Sequence, residues 1–100
     1  FEINRPVIAG DINVTGTGPA GLPIRLIDLS EVDLVLSETI IGEDGNFEFV
    51  LSNPVISQHL IGIQLGDLSG TDFNENEFIY NENYYDRPFV GIVFDMVTVN

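Results

Sequence analysis

Cysteine, tryptophan and lysine are absent from this chain of 100 residues, and histidine occurs once, at His59. Without cysteine the chain has no disulfide and no thiol nucleophile. A single histidine rules out a metal site with two histidine ligands from one chain. No apolar run approaches the roughly 20 residues that a transmembrane helix needs. These absences exclude cysteine chemistry and a membrane-spanning helix.

Basic charge is also scarce. Sixteen acidic residues face three basic ones, Arg5, Arg25 and Arg87, which gives a formal net charge of −13. Such a surface repels phosphate backbones and anionic lipids, so it excludes nucleic-acid binding and membrane insertion. Two interpretations of the acidity stay open: a coat that keeps the protein soluble, for example in a salty medium, and a site for divalent cations.

The apolar residues that are present, 44% of the chain, alternate with polar ones as in β-strands. The clearest alternation lies in the segments 22–28, 46–51, 59–65 and 89–99, the last with a bulge near Gly91. Further strands are predicted at 7–14 and 33–41, and a weaker one at 78–80. We therefore predict an all-β fold, an antiparallel two-sheet β-sandwich of about seven strands.

Two turn signals interrupt this pattern. The segment 16–21, Gly-Thr-Gly-Pro-Ala-Gly, should not continue a strand, because proline lacks a donor and glycine favours positive φ. Asp44-Gly45 lies between two apolar runs and predicts a hairpin with a type I′ turn, in which both central residues have positive φ. Only 29–35 is a candidate for a single helical turn.

The two ends of the chain share a short pattern. Residues 1–4 and 97–100 both read apolar-polar-apolar-Asn. This pattern suggests that 1–4 is the tail of a preceding copy or a linker, and that 5–100 is one sandwich module of a tandem rod. Because the sequence starts at Phe1 and shows no signal peptide, we expect a piece of a larger exported protein.

A family resemblance rests on three segments: 7–10, the glycine-rich 18–26, and Thr39 followed by the acidic turn and strand at 43–49. They resemble bacterial Ig-like modules of surface adhesins, and they are similar to carboxypeptidase regulatory-like, transthyretin-like domains. The resemblance covers residues 7–70 and implies an exported, repeated, non-catalytic module. Whether the strand order is Ig-like or transthyretin-like stays open, and the chain departs from both patterns at 71–86.

Two crosslinks found in such domains are excluded. The Cys…Trp…Cys pattern of disulfide-bonded immunoglobulin domains is absent, and the Lys–Asn isopeptide bond of some pilin modules cannot form without lysine.

The segment 67–86 is rich in the oxygen ligands that Ca²⁺ prefers. The candidate ligands are Asp67, Asp72, Asn74, Asn76 and Glu77, with Asp11 or Asp44 contributing from another loop. The alternation from Asp72 to Asn76 resembles the start of an EF-hand loop, but Glu77 replaces its glycine and Asn83 its bidentate glutamate. The alternatives are a looser interdomain Ca²⁺ site that stiffens a rod and a solvated acidic loop.

Aromatic residues interleave with these acids. Tyr80, Tyr84 and Tyr85 stand beside Asp, Asn and Glu, the composition of a platform that stacks on a sugar ring and bonds its hydroxyls. The other interpretation is packing: Phe78 and Tyr80 close one end of the sandwich, and Tyr84 and Tyr85 pack on the strand that begins at 89.

Nothing in the sequence indicates catalysis, and we do not expect an enzyme. Ser52, Ser57 and Ser69 lack the context of a nucleophile elbow, and so short a chain has little left over for a substrate cleft. We expect a structural spacer of a secreted or cell-surface protein, whose partners are the neighbouring domains of its own chain. The alternatives are a module that binds carbohydrate or a cell-surface protein through 71–87, and an accessory domain of a secreted hydrolase.

Overall fold

The computed structural model describes residues 1–31, 34–87 and 90–100. Strands predominate among them, with one α-helix and one 3₁₀ turn. The strands are β1 (Glu2–Ile3), β2 (Asn13–Thr17), β3 (Pro23–Asp28), β4 (Leu34–Ile40), β5 (Asn46–Val50), β6 (Leu60–Leu65), β7 (Tyr85–Arg87), β8 (Gly91–Val93) and β9 (Asp95–Thr98). The helix α1 spans Glu75–Asn81, and the 3₁₀ turn spans Leu29–Glu31.

The strands form three antiparallel sheets. One has the order β1-β2-β5, the second has the order β4-β3-β6-β9, and the third is the pair β7–β8. Buried side chains from the first two sheets belong to one hydrophobic core, for example Val14 and Phe49 from one sheet and Ile24 and Ile63 from the other. The predicted β-rich class is confirmed, but the described residues form three sheets, nine strands and one helix, where an all-β fold of two sheets and about seven strands was expected.

Alternation in the sequence becomes alternation of burial in β3 and β5. Phe47 and Phe49 of β5 are buried, whereas the residues beside them are exposed. In β3, Ile24 and Leu26 enter the core, which leaves Arg25 on the outer face of the four-stranded sheet. The predicted strands at 22–28, 46–51 and 59–65 correspond to β3, β5 and β6.

Part of that outer face is covered by the small third sheet. Gly62 of β6 lies directly beneath β8, since a Cβ at this position would come within 2.6 Å of Val93 Cγ1. On the same strand, Gln64 Nε2 donates to the Val90 carbonyl at 3.1 Å. The absence of a side chain at Gly62 therefore lets the β7–β8 pair approach the four-stranded sheet.

The single strand predicted over 89–99 is wrong. The segment forms two strands: β8 pairs with β7, and β9 pairs with β6 at the edge of the four-stranded sheet. Between them, Phe94 is buried and its N–H donates to the Ile63 carbonyl at 2.9 Å. A bulge was expected near Gly91; this residue has a φ of 101° and is the first residue of β8. Residue 89 lies outside the described residues.

The strand predicted at 7–14 is misplaced. Residues 7–12 do not form a strand; there, the Ile8 N–H donates to Asp11 Oδ2 at 3.1 Å and the Asp11 N–H donates to the Ile8 carbonyl at 3.0 Å. Strand β2 starts only at Asn13. The local hydrogen bonds of Asp11 explain the difference, because an Asp side chain can bond nearby backbone N–H groups in place of the hydrogen bonds between strands.

Strand β2 also runs through Gly16 and Thr17, where the glycine-rich segment 16–21 was expected to stop it. Gly16 is required there, since a Cβ would collide with the Glu2 carbonyl oxygen and the Phe47 ring. This glycine serves close packing between strands rather than a turn.

The strand predicted near 78–80 is wrong, because these residues belong to α1. Asn74 caps the helix: its side chain accepts a hydrogen bond from the Asn76 N–H at 2.9 Å. At the other end, the Glu82 N–H donates to the Phe78 carbonyl. Phe78 is the buried residue of this short helix, and a single buried position gives no helical stripe in the sequence.

The hairpin predicted at Asp44-Gly45 is a turn between sheets. The strands on its two sides do not pair with each other: β4 pairs with β3, and β5 pairs with β2. Gly45 has a φ of 83°, whereas Asp44 is not among the described residues with positive φ, so the turn is not type I′.

The remaining predicted elements agree with the structure where it describes them. The strand expected at 33–41 corresponds to β4, and the helical turn expected within 29–35 corresponds to Leu29–Glu31; Val32 and Asp33 lie outside the described residues. Residues 1–4 contribute β1, and Ile3 is fully buried. That these residues repeat a preceding module stays a prediction.

Candidate functional site

Side chains of the acidic segment 67–77 bond to their own loop. Asp67 Oδ1 accepts a hydrogen bond from the Ser69 N–H at 2.9 Å, and Thr71 Oγ1 donates to the Leu68 carbonyl at 2.6 Å. Hydrogen bonds from Ser69, first from its N–H and then from its hydroxyl, lower the pKa of Asp67, and the charge of Arg25 adds to this effect. Several of these polar atoms therefore have a structural role.

The predicted calcium ligands are dispersed along the chain. Asp72 and Glu77 are exposed, and the side chain of Asn74 is engaged by the Asn76 N–H. Asp44 Oδ1 likewise accepts from the Asn46 N–H at 3.0 Å within its own turn. Across 1–31, 34–87 and 90–100, no three His, Cys, Asp or Glu side chains are grouped so that they could hold a metal ion. The calcium site stays a prediction.

The three candidate tyrosines are exposed. Tyr80 on α1 is 86% exposed, Tyr84 41% and Tyr85 52%. Tyr80 therefore does not close the sandwich end; Phe78 does, packed edge-on against Phe1 and Phe94. Tyr84 and Tyr85 were expected to pack on the strand that begins at 89. Tyr85 does lie opposite Val93 of β8 in the backbone ladder, but both tyrosine side chains stay largely exposed. All three phenol rings are accessible to a ligand.

His59 belongs to a polar cluster that the sequence did not indicate. Its Nδ1 lies 2.7 Å from Asp28 Oδ2, and its Nε2 lies 4.0 Å from Glu31 Oε1. Asp28 is buried and also accepts from the Ser30 N–H at 2.9 Å, while Ser30 Oγ accepts from the Leu60 N–H at 2.9 Å. The cluster thus joins the 3₁₀ turn to β6. The one feature of the sequence that could have indicated this cluster is Asp28 at the end of a strand that is otherwise buried, because a buried carboxylate needs a hydrogen-bonding partner.

A cavity of about 470 Å³ lies on the outer face of the four-stranded sheet. Its lining includes polar side chains from two strands and from the acidic segment, and apolar ones beside them: Arg25, Gln64, Asp67, Glu75, Leu68 and Ile92. Arg25 Nε is buried and has no hydrogen-bond partner among the described residues. In the sequence, Arg25 looked like an ordinary outward-facing residue of an alternating strand.

The first and last segments of the chain run side by side in the same direction. Near their starts, the rings of Phe1 and Phe94 stack with their centroids 4.5 Å apart. Near their ends, the Asn100 N–H donates to the Val7 carbonyl, and the Ala9 N–H donates to the Asn100 carbonyl, both at 2.9 Å. Phe1 and Asn100 are thus separated by the length of an extended segment of six residues, roughly 20 Å.

A side-chain network joins the same two segments between those points. Asp95 Oδ2 accepts from the buried Ile3 N–H at 2.7 Å, and Asp95 forms a two-bond ion pair with Arg5 at 3.0 and 3.2 Å. Arg5 also donates to the carbonyls of Ile3 and Met96, both at 2.8 Å. The hydrogen bond from Asp95 raises the pKa of Arg5, so the guanidinium stays charged.

Comparison of the chain with family models, with curated proteins and with solved structures gives no match. No helix among the described residues is long and apolar enough to cross a membrane.

Proposed function

We propose that this chain is a non-catalytic spacer module of a secreted or cell-surface protein, an Ig-like β-sandwich that connects neighbouring domains in line. The observation that carries the proposal is the direction of the two terminal segments. Because they run side by side, the chain enters the domain near the Phe1–Phe94 stack and leaves near Asn100, roughly 20 Å away. Domains joined through such ends follow one another along a line.

The strand order favours the Ig-like alternative over the transthyretin-like one. In the lettering of immunoglobulin-like sandwiches, β1-β2-β5 opposite β4-β3-β6-β9 reads A-B-E opposite C′-C-F-G. Together with the shared core, this order supports a Greek-key sandwich with one additional small sheet, β7–β8, on its outer face.

The contacts between the terminal segments support a role under mechanical load. A force that pulls Phe1 and Asn100 apart slides one segment along the other, so the Arg5–Asp95 pair and the backbone bonds at Asn100 resist it together. Bonds loaded in parallel share the force, whereas bonds opened one after another do not.

Small-angle scattering of tandem copies of the chain tests the in-line geometry. Two, three and four copies of residues 1–100 are joined end to end, and the maximum dimension is measured for each. We expect a constant increment per copy. A matched series with a flexible Gly/Ser linker after Asn100 should fall below that increment, because such a linker lets neighbours bend. Compact assemblies in the direct series would contradict the proposal.

The cell-surface location is tested on intact cells that make the full protein. An antibody raised against residues 1–100 should label unpermeabilised cells or detect the protein in the culture medium. Labelling that requires permeabilisation and leaves the medium without antigen would contradict an extracellular module.

A second candidate function, binding of carbohydrate or of a cell-surface protein, is favoured by the exposure of Tyr80, Tyr84 and Tyr85. It is tested by glycan-array binding of the wild type, of Tyr84→Ala and Tyr85→Ala, and of Val50→Ala as a control on an exposed residue of β5. Binding lost only in the tyrosine variants would support this function. An accessory role beside a secreted hydrolase is tested by whether residues 1–100, added or deleted, change the activity of a neighbouring catalytic domain.

A further inference from the structure

Arg25 differs from the other two arginines in its surroundings. Arg5 is paired with Asp95, and Arg87 is exposed on β7. Arg25 lies on β3, an inner strand of the four-stranded sheet, with its Nε buried and without a hydrogen-bond partner in 1–31, 34–87 and 90–100. A buried donor is costly to leave unsatisfied, so a ligand that places a hydrogen-bond acceptor beside Arg25 Nε would bind more tightly.

The cavity around Arg25 offers both signs of charge. Asp67 and Glu75 line it together with the guanidinium, and Asp67 is close enough for the charge of Arg25 to lower its pKa. Leu68 and Ile92 supply apolar contact. A volume of about 470 Å³ lies within the range of small-molecule sites, roughly 300–1,000 Å³.

We infer that this cavity binds a small zwitterion, a free amino acid with an apolar side chain, whose carboxylate bonds to Arg25 and whose ammonium group faces Asp67 and Glu75. Planar guanidinium groups bind carboxylates through two parallel hydrogen bonds. The apolar side chain of the ligand packs between Leu68 and Ile92.

Net charge explains why a zwitterion fits better than a simple anion. The chain carries −13, so the field around it opposes the approach of a negative ligand, whereas a neutral zwitterion is not repelled. Within the cavity, a carboxylate alone would meet one arginine and two acids. The ammonium group of an amino acid changes that balance from repulsion to attraction.

The test uses isotope-labelled wild-type chain and L-leucine as the probe, followed by amide NMR shifts. We expect saturable shifts at the backbone amides of 64–68 and 90–94. N-acetyl-L-leucine, which lacks the ammonium charge, and L-leucinamide, which lacks the carboxylate, should each bind at least about tenfold more weakly, because each loses a charge-assisted interaction. This comparison needs no variant and so does not depend on how variants fold.

Two variants test the role of Arg25. Arg25→Met keeps an apolar stem but has no donor, and it should abolish the shifts; Arg25→Lys keeps the charge but loses the fork, and it should weaken binding. Arg87→Met is the control and should bind as the wild type does. The inference is overturned if L-leucine causes no saturable shift up to millimolar concentrations, if the two analogues bind equally well, or if folded Arg25→Met binds normally.

Discussion

Removal of the Asp95 side chain, which is only 16% exposed, should destabilise the domain strongly. Asp95 accepts a hydrogen bond from the Ile3 N–H and pairs with Arg5. Ile3 is fully buried, so in Asp95→Ala its N–H loses its partner where water does not reach it.

The magnitude follows from these two losses. A buried donor without a partner costs about 1–3 kcal/mol. The ion pair adds less than about 1 kcal/mol, because the Arg5 side chain is 44% exposed and solvent screens it. Together they predict a loss of about 1–4 kcal/mol in the free energy of unfolding. For a domain of this size that corresponds to roughly 4–30 °C in Tm.

Asp95→Asn is the matched comparison. An asparagine retains an acceptor for the Ile3 N–H but loses the charge, so it should cost only about 1 kcal/mol or less. Urea denaturation and a thermal melt of wild type, Asp95→Asn and Asp95→Ala measure both differences. If the two variants were equally stable, or if Asp95→Ala cost less than about 0.5 kcal/mol, the Ile3 N–H would not depend on Asp95 and the reasoning would be refuted.

Three further predictions concern packing, pH and calcium. Gly16→Ala should lower stability by about 1–3 kcal/mol by overpacking, since its Cβ would meet the Phe47 ring; an unchanged midpoint in urea would contradict this. Hydrogen bonds from the side chain and N–H of Asn46 lower the pKa of Asp44, so its contribution is present above the ordinary pKa of about 3.8 and is lost as pH falls through the lower folded value. Below about pH 4, melts should therefore show the wild type losing stability relative to Asp44→Asn, and parallel curves would argue against it. If the acidic segment binds Ca²⁺, millimolar Ca²⁺ should raise Tm over that in EDTA, by an amount that Asp72→Ala abolishes; equal midpoints for the wild type would leave the acids as a solvated loop.

The elements that could be predicted from sequence are those whose burial follows the period of a strand. Phe47 and Phe49 in β5, and Ile24 and Leu26 in β3, alternate with polar neighbours, and both strands form where expected. Where a local bond or a long-range contact decides the backbone, the pattern misleads. Asp11 accepts a hydrogen bond from the Ile8 N–H and so forms a turn before β2. The pattern of apolar residues gives no indication of this turn.

Two other differences have the same origin. Gly62 accommodates Val93, which brings β8 onto the outer face and splits the C-terminal segment into two strands. Asn74 caps α1, where a single buried Phe78 gave no periodic signal. Sheet membership is a long-range property, so an Asp-Gly turn alone could not distinguish a hairpin from a connection between sheets.

Among the candidate site residues, exposure could be predicted from the sequence, whereas a contact between distant residues could not. Exposure of Tyr80, Tyr84 and Tyr85 agrees with their polar surroundings in the sequence. The pairing of His59 with Asp28 was not foreseeable, because 31 residues separate them and the ladder between β3 and β6 brings them together.

Single-molecule pulling tests most directly whether the terminal segments make this domain a load-bearing spacer. Pulling on handles at residues 1 and 100 slides the two terminal segments along each other. Handles at residues 1 and 45 both lie at one end of the domain, where the Gly18 N–H donates to the Gly45 carbonyl. Pulling on this second pair opens the β1–β2 ladder one hydrogen bond at a time. We predict a clearly higher unfolding force for the first pair, reduced by Asp95→Ala. Equal forces for the two pairs, or a force for 1 and 100 that Asp95→Ala does not change, would contradict the account.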